Sequence, residues 1–205
     1  MSKGNHVGGF FALPTPLLEQ IRVTAGAFLV LVLVGFLVGT ARPAALAPLL
    51  NIFGDMVEET GLADMSGAEL AETIFANNLF ALLTAICMGF LPYIRLSALE
   101  LGLNALLLGG FAAHYQRSGI GLSAYLAGTL PHGVTELSAL VIACASGLYL
   151  CRAVTDRLRR KEDAMPVREA LGGCMRAYVR WIAPLLLISA LLETFVTPRI
   201  FERFL

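Results

Sequence analysis

Charge is scarce in this chain. Only 15% of its 205 residues are Asp, Glu, Lys or Arg, where a soluble domain carries about 25%. That shortfall excludes an ordinary water-soluble globule, and a formal net charge of zero removes any global argument for nucleic acid. Cysteine is sparse as well. The four present form no Cys-x-x-Cys pair, so neither a zinc knuckle nor a disulfide framework is indicated. There is no His-Glu-x-x-His motif, no internal repeat of the kind that marks secondary transporters, and no low-complexity tract. What the chain has instead is hydrocarbon: 57% of it is hydrophobic and its mean hydropathy is +0.74. These residues gather into runs near the ~20 needed to cross a bilayer core. The composition predicts an all-α polytopic membrane helical bundle.

About five transmembrane helices are predicted, and residues 1–205 read as a single integral membrane domain. Residues 1–22 form a short cytoplasmic segment with Pro14 and Pro16, able to lie along the membrane surface. The first span runs from Val23 to Thr40 and contains Gly35-Phe36-Leu37-Val38-Gly39, a small-xxx-small spacing that allows close helix contact. Ala45-Leu46-Ala47 resembles a signal-peptidase site, but the preceding apolar run is longer than a usual signal core, so the segment reads as a retained anchor. Residues 43–73 are the acidic, extracytoplasmic loop, with Asp55, Glu58, Glu59, Asp64, Glu69 and Glu72 against Arg42 alone. Ser66-Gly67-Ala68-Glu69 fits a capping box that opens the helix of the second span, about 74–91. The third span covers about 96–115.

The fourth segment, Tyr125 to Leu150, would measure roughly 39 Å as a straight helix, longer than the ~30 Å core. Pro131 and Gly133 offer a break, and the pattern predicts one before the fourth spanning helix. Ala139, Ala143 and Gly147 then form a smooth ridge for packing. Residues 152–180 carry eight basic side chains against Asp156, Glu162, Asp163 and Glu169. The fifth span is about 181–196.

Orientation follows from the loops. Positive charge stays inside, so the basic 152–180 loop is cytoplasmic, the acidic 43–73 loop faces out, the N-terminus is inside and the C-terminus outside. All five tyrosines and Trp181 fall at the proposed span ends, as an interfacial belt requires. The cysteines read as core packing. The small-residue ridges of spans one and four leave a homo-oligomer open.

The informative residues are the polar ones inside the apolar runs, because ionisable groups there are costly and functional by default. In Pro131-His132-Gly133-Val134-Thr135-Glu136, the histidine and glutamate are four apart and share a helix face. Counting depth at ~1.5 Å per residue from the cytoplasmic ends places Glu136 and Glu193 at roughly 20–22 Å, and His132, Asn77 and Asn78 at roughly 26–28 Å. These five form a predicted intramembrane polar cluster in the outer half. Glu100 and Asn104 sit lower, as a secondary polar pair. Three readings compete. The cluster is a clamp of interhelical hydrogen bonds; or His132, Glu136 and Glu193 hold a divalent metal such as Zn2+; or it is an ion or proton site of a transporter. The metal reading extends to a metal-dependent intramembrane enzyme, a hydrolase with an activated water. No recognised catalytic motif accompanies it.

Four stretches carry a family resemblance: Phe75-Ala76-Asn77-Asn78, Leu103 to Gly109, Leu130 to Ala139 with its proline-histidine-glycine…glutamate core, and Leu191-Leu192-Glu193-Thr194-Phe195-Val196-Thr197-Pro198. Together they resemble the signature positions of the stage II sporulation protein M family, over about residues 70 to 200. Ala105 departs from the glycine common there, which loosens the expected helix contact. The resemblance implies a multipass protein of the bacterial cytoplasmic membrane without established catalysis. In spore formers the family member is a scaffold that recruits peptidoglycan hydrolases to the septum for engulfment, so cell-wall remodelling enzymes are the partners it implies.

Overall fold

The structure is a computed structural model that describes residues 12–59, 61 and 65–203, and all of their side chains but those of 56–58. The described residues are helical throughout, joined by short turns. In chain order they form α1 (Thr15–Ala41), α2 (Pro43–Glu59), α3 (Gly67–Cys87) with a 3-10 turn at Met88–Phe90, α4 (Leu96–Arg117) and α5 (Leu122–Leu158). Then follow α6 (Val167–Ala177), a π-helical turn at Tyr178–Ile182, α7 (Ala183–Phe195) and α8 (Thr197–Phe201). Five stretches are long and apolar enough to cross a membrane: α1, α3 with its 3-10 turn, α4, α5, and the run Val167–Phe195. The predicted five-span, all-α bundle is therefore the fold.

Helix α5 is its axis. It packs against α1, α3, α4, α6, α7 and α8, and the ridge of Ala139, Ala143 and Gly147 is buried within it. Glycine sets the tightest approaches. A Cβ on Gly35 of α1 would lie 2.6 Å from the Leu106 carbonyl oxygen of α4, and one on Gly109 would run into the α1 backbone at Val32 and Phe36. Without a hydrophobic drive between helices in lipid, small residues that let backbones touch are a main source of association. The Gly35–Gly39 spacing is thus spent inside the chain against α4. Ala105, fully buried, is tolerated because the glycine contact falls one turn later, at Gly109.

Several boundaries differ from the sequence reading. The expected break at Pro131 and Gly133 is absent: α5 runs unbroken for 37 residues with Pro131 inside it. At ~1.5 Å per residue it is about 55 Å long, so the surplus length projects beyond the apolar core instead of forcing a kink. A proline inside a membrane helix is tolerated where neighbours surround it, and α5 is enclosed from several sides. Helix α1 begins at Thr15, so the surface-lying segment is limited to residues before it; 1–11 lie outside the described residues.

The 43–73 segment is not a plain loop. It holds α2, which packs against α1 and α4; Asp64 and the Glu58 side chain lie outside the described set. Ser66 precedes α3 as expected but makes no side-chain cap bond, because Gly67 enters with φ +60°, out of the register the box requires. Most of 152–180 is helix too, with only residues 159–166 as a connection. The helix that carries the fifth span thus begins at Val167, upstream of the apolar run itself. Its π turn precedes Pro184, which has no N–H to give to the turn before it, and a widened turn accommodates that loss. Cys144, Cys151 and Cys174 are buried as packing residues, but Cys87 is exposed.

Candidate intramembrane polar site

Two stripes of polar side chains meet where α5 crosses the end of α7. On α5, His132 and Glu136 are one turn apart. On the other side Ser189, Glu193 and Thr197 recur every four residues, so they lie on one face of α7 and its continuation into α8. One ligand-bearing atom from each of His132, Glu136 and Glu193 falls within 4.8 Å of the others, all three side chains being half-buried. The pair predicted from its shared helix face and the glutamate added by depth are brought together.

Around them is a shell of hydroxyls and amides. His132 Nδ1 is 3.1 Å from the Thr197 hydroxyl. The Ser189 hydroxyl, itself fully buried, donates to the His132 carbonyl at 3.2 Å, and the Thr135 hydroxyl donates to the same oxygen at 2.8 Å. From α3, Asn78 Nδ2 donates to Glu136 Oε1 at 3.5 Å, a long bond. Three spans are thereby joined at one point: α3, α5 and the last. Two carboxylates this close in a low-dielectric surround need a compensating positive charge, which is either a shared proton or a cation.

Beside the cluster lies a cavity of about 110 Å³ lined by Asn78, Glu100, Asn104, Glu136 and leucines 82, 137, 140 and 186, with Ala81. That is room for about three waters at ~30 Å³ each. The secondary pair is therefore not separate from the cluster, as the depth count suggested, but opens onto the same space. Counting along helix axes registers Cα levels and not where side chains from different levels reach. Asn104 Nδ2 donates to the Glu100 carbonyl at 3.0 Å, while a buried Glu100 carboxylate oxygen has no hydrogen-bond partner in the protein. Asn77 does not join. It is exposed, one position further round α3 than Asn78, and does not line the cavity.

Ser189 and Thr197 were not singled out from the sequence. Their signal was present, since each stands four residues from Glu193 on the same face, but hydroxyls carry no charge and do not stand out in an apolar run.

The family model described as stage II sporulation protein M matches residues 24–198. No curated protein and no solved structure matches the chain.

Proposed function

The chain belongs to the stage II sporulation protein M family, and from that premise we propose that it is a non-enzymatic multipass scaffold of the bacterial cytoplasmic membrane that recruits peptidoglycan-remodelling enzymes. The observation that carries this reading is where the polar groups go. Asn78, His132, Glu136, Ser189 and Thr197 are engaged with one another across helices, the work of a clamp that holds a platform rigid. In this reading the N-terminus and the basic turn at 159–166 are cytoplasmic, and the C-terminus and α2 face outward.

The outward platform has a recess to offer. Between α2 and the end of α4 lies an open groove of about 750 Å³ lined by Leu46, Leu50, Asn51, Asp55, His114 and Arg117 among others. A partly apolar groove with charged ends suits a protein segment better than a small metabolite. The test is a photo-crosslinking residue at Asn51, exposed on α2, in native membranes. Adducts with a peptidoglycan-degrading enzyme are expected from Asn51 and not from Phe80, which is 74% exposed on the apolar flank of α3. Adducts with no cell-wall enzyme at either position would refute the recruitment.

A further inference from the structure

We infer that His132, Glu136 and Glu193 bind one divalent transition-metal ion of the zinc class, fastening α5 to α7 and leaving a fourth coordination position open to the adjoining cavity. The inference goes beyond the scaffold reading and does not depend on it.

Charge is the first argument. Two carboxylates and a neutral imidazole around a divalent cation make an electrically neutral site, the form in which charge is least costly inside a bilayer. Donor type is the second. One imidazole with two carboxylates suits zinc-class ions, whereas calcium and magnesium call for oxygen-only shells with more ligands.

Geometry is the third. The three ligand atoms lie within 4.8 Å of one another; tetrahedral coordination at ~2.0–2.1 Å bond lengths would draw them to roughly 3.3 Å apart, a closure that side-chain rotation supplies. The fourth concerns orientation. Metal-bound histidines almost always give their other N–H to an oxygen that fixes the ring, and the Thr197 hydroxyl 3.1 Å from Nδ1 is placed to accept it. That leaves the other ring nitrogen with its lone pair for the ion.

The open position comes from the neighbouring space. Three protein ligands and a free fourth site is the arrangement in which a zinc ion keeps a water. The 110 Å³ cavity shares Glu136 with the cluster and is also lined by the polar side chains of Asn78, Glu100 and Asn104. The unpartnered Glu100 oxygen gains a hydrogen bond if the cavity is wet.

The test uses the full chain in detergent, purified without chelator. Elemental analysis should find one zinc-class ion per chain in the wild type. Chelator should lower its melting temperature, and Zn2+, but not Mg2+, should restore it. His132→Ala and Glu193→Gln should abolish retention of the ion, and Thr197→Val should weaken binding by about 10- to 100-fold while keeping the stoichiometry. Absence of ion in the wild type together with no melting response to Zn2+ would overturn the site. So would an ion that persists in both ligand variants. Should those variants fail to fold, removal and return of metal on the wild type decides the matter alone. Either negative result leaves the Asn51 crosslinking test of the scaffold untouched.

Discussion

Replacing Gly35 by alanine should loosen the α1–α4 seam, and the size of the effect can be worked out from its surroundings. The added Cβ would stand 2.6 Å from the Leu106 carbonyl oxygen, 3.0 Å from its Cα and 3.2 Å from its carbonyl carbon. All three are backbone, so no side chain can swing away. Restoring ordinary contact means separating the two helices by roughly 0.8 Å, and a gap of that order forfeits a quarter to a half of each dispersion contact along the seam. Overpacking of this kind costs about 1–3 kcal/mol, against the ~0.5–1 kcal/mol that alanine gains over glycine in a helix.

Gly26 supplies the control. It lies in the same helix with nothing within 4 Å of its built Cβ, so Gly26→Ala should be neutral or slightly stabilising. Thermal unfolding in one detergent should put the two variants several degrees apart, at about 2–4 °C per kcal/mol for a chain of this size. If Gly35→Ala melts with Gly26→Ala, the close approach of α1 and α4 is not what holds them.

Three further outcomes are expected. Tyr178→Phe removes the hydroxyl that donates to the Leu79 carbonyl at 2.8 Å, tying the last span to α3, and should lower stability by about 0.5–1.5 kcal/mol in the same melt. A double-mutant cycle of Asn78→Ala with Glu136→Gln should show a coupling near ~0.6 kcal/mol and below ~1.7, the range for interhelical polar pairs in membranes; zero coupling would mean the 3.5 Å contact holds nothing. With Cys87→Ser as background, Asp55→Cys should react with an impermeant maleimide in intact cells and Glu162→Cys only after lysis; the reverse pattern would invert the proposed orientation.

The spans were legible because apolar runs near bilayer length have few alternative uses. The positions 132, 136 and 193 were legible because charge in such a run is conspicuous. Other features were not, each for a nameable reason. Pro131 and Gly133 signal a break locally, yet a helix enclosed on several sides and free to project past the core has no need of one. The acidic composition of 43–73 says solvent, but Leu46 and Leu50 turn α2 against α4, where they meet Gly110. Nothing in the local pattern at Tyr178 and Trp181 announces the π turn by which the helix passes through both. Tyr178 is where it is partly to reach Leu79, a contact 99 residues away that local pattern does not encode.

Two kinds of glue divide the bundle, and their division explains where the polar cluster stands. On one side of α5, α1 and α4 meet through Gly35, Gly39, Gly109 and Gly110, and the turn after α3 meets α5 through Gly89 and Gly147. At Gly35, Gly39, Gly89, Gly109 and Gly147 the nearest contact is backbone or a small side chain. None of the described glycines has its nearest contacts across the seam of α5 and α7, which is lined by larger groups such as Leu186 and by fully buried Ser189. Lipid offers that seam no hydrophobic drive. Beside the van der Waals packing of Leu140, Ala143 and Leu186, association can be polar, and it is on this seam that His132, Glu136, Glu193, Ser189 and Thr197 converge. The glycine seam and the polar seam share no residue, so substitutions at Gly35 and at Glu193 should add independently. The polar one alone should respond to metal.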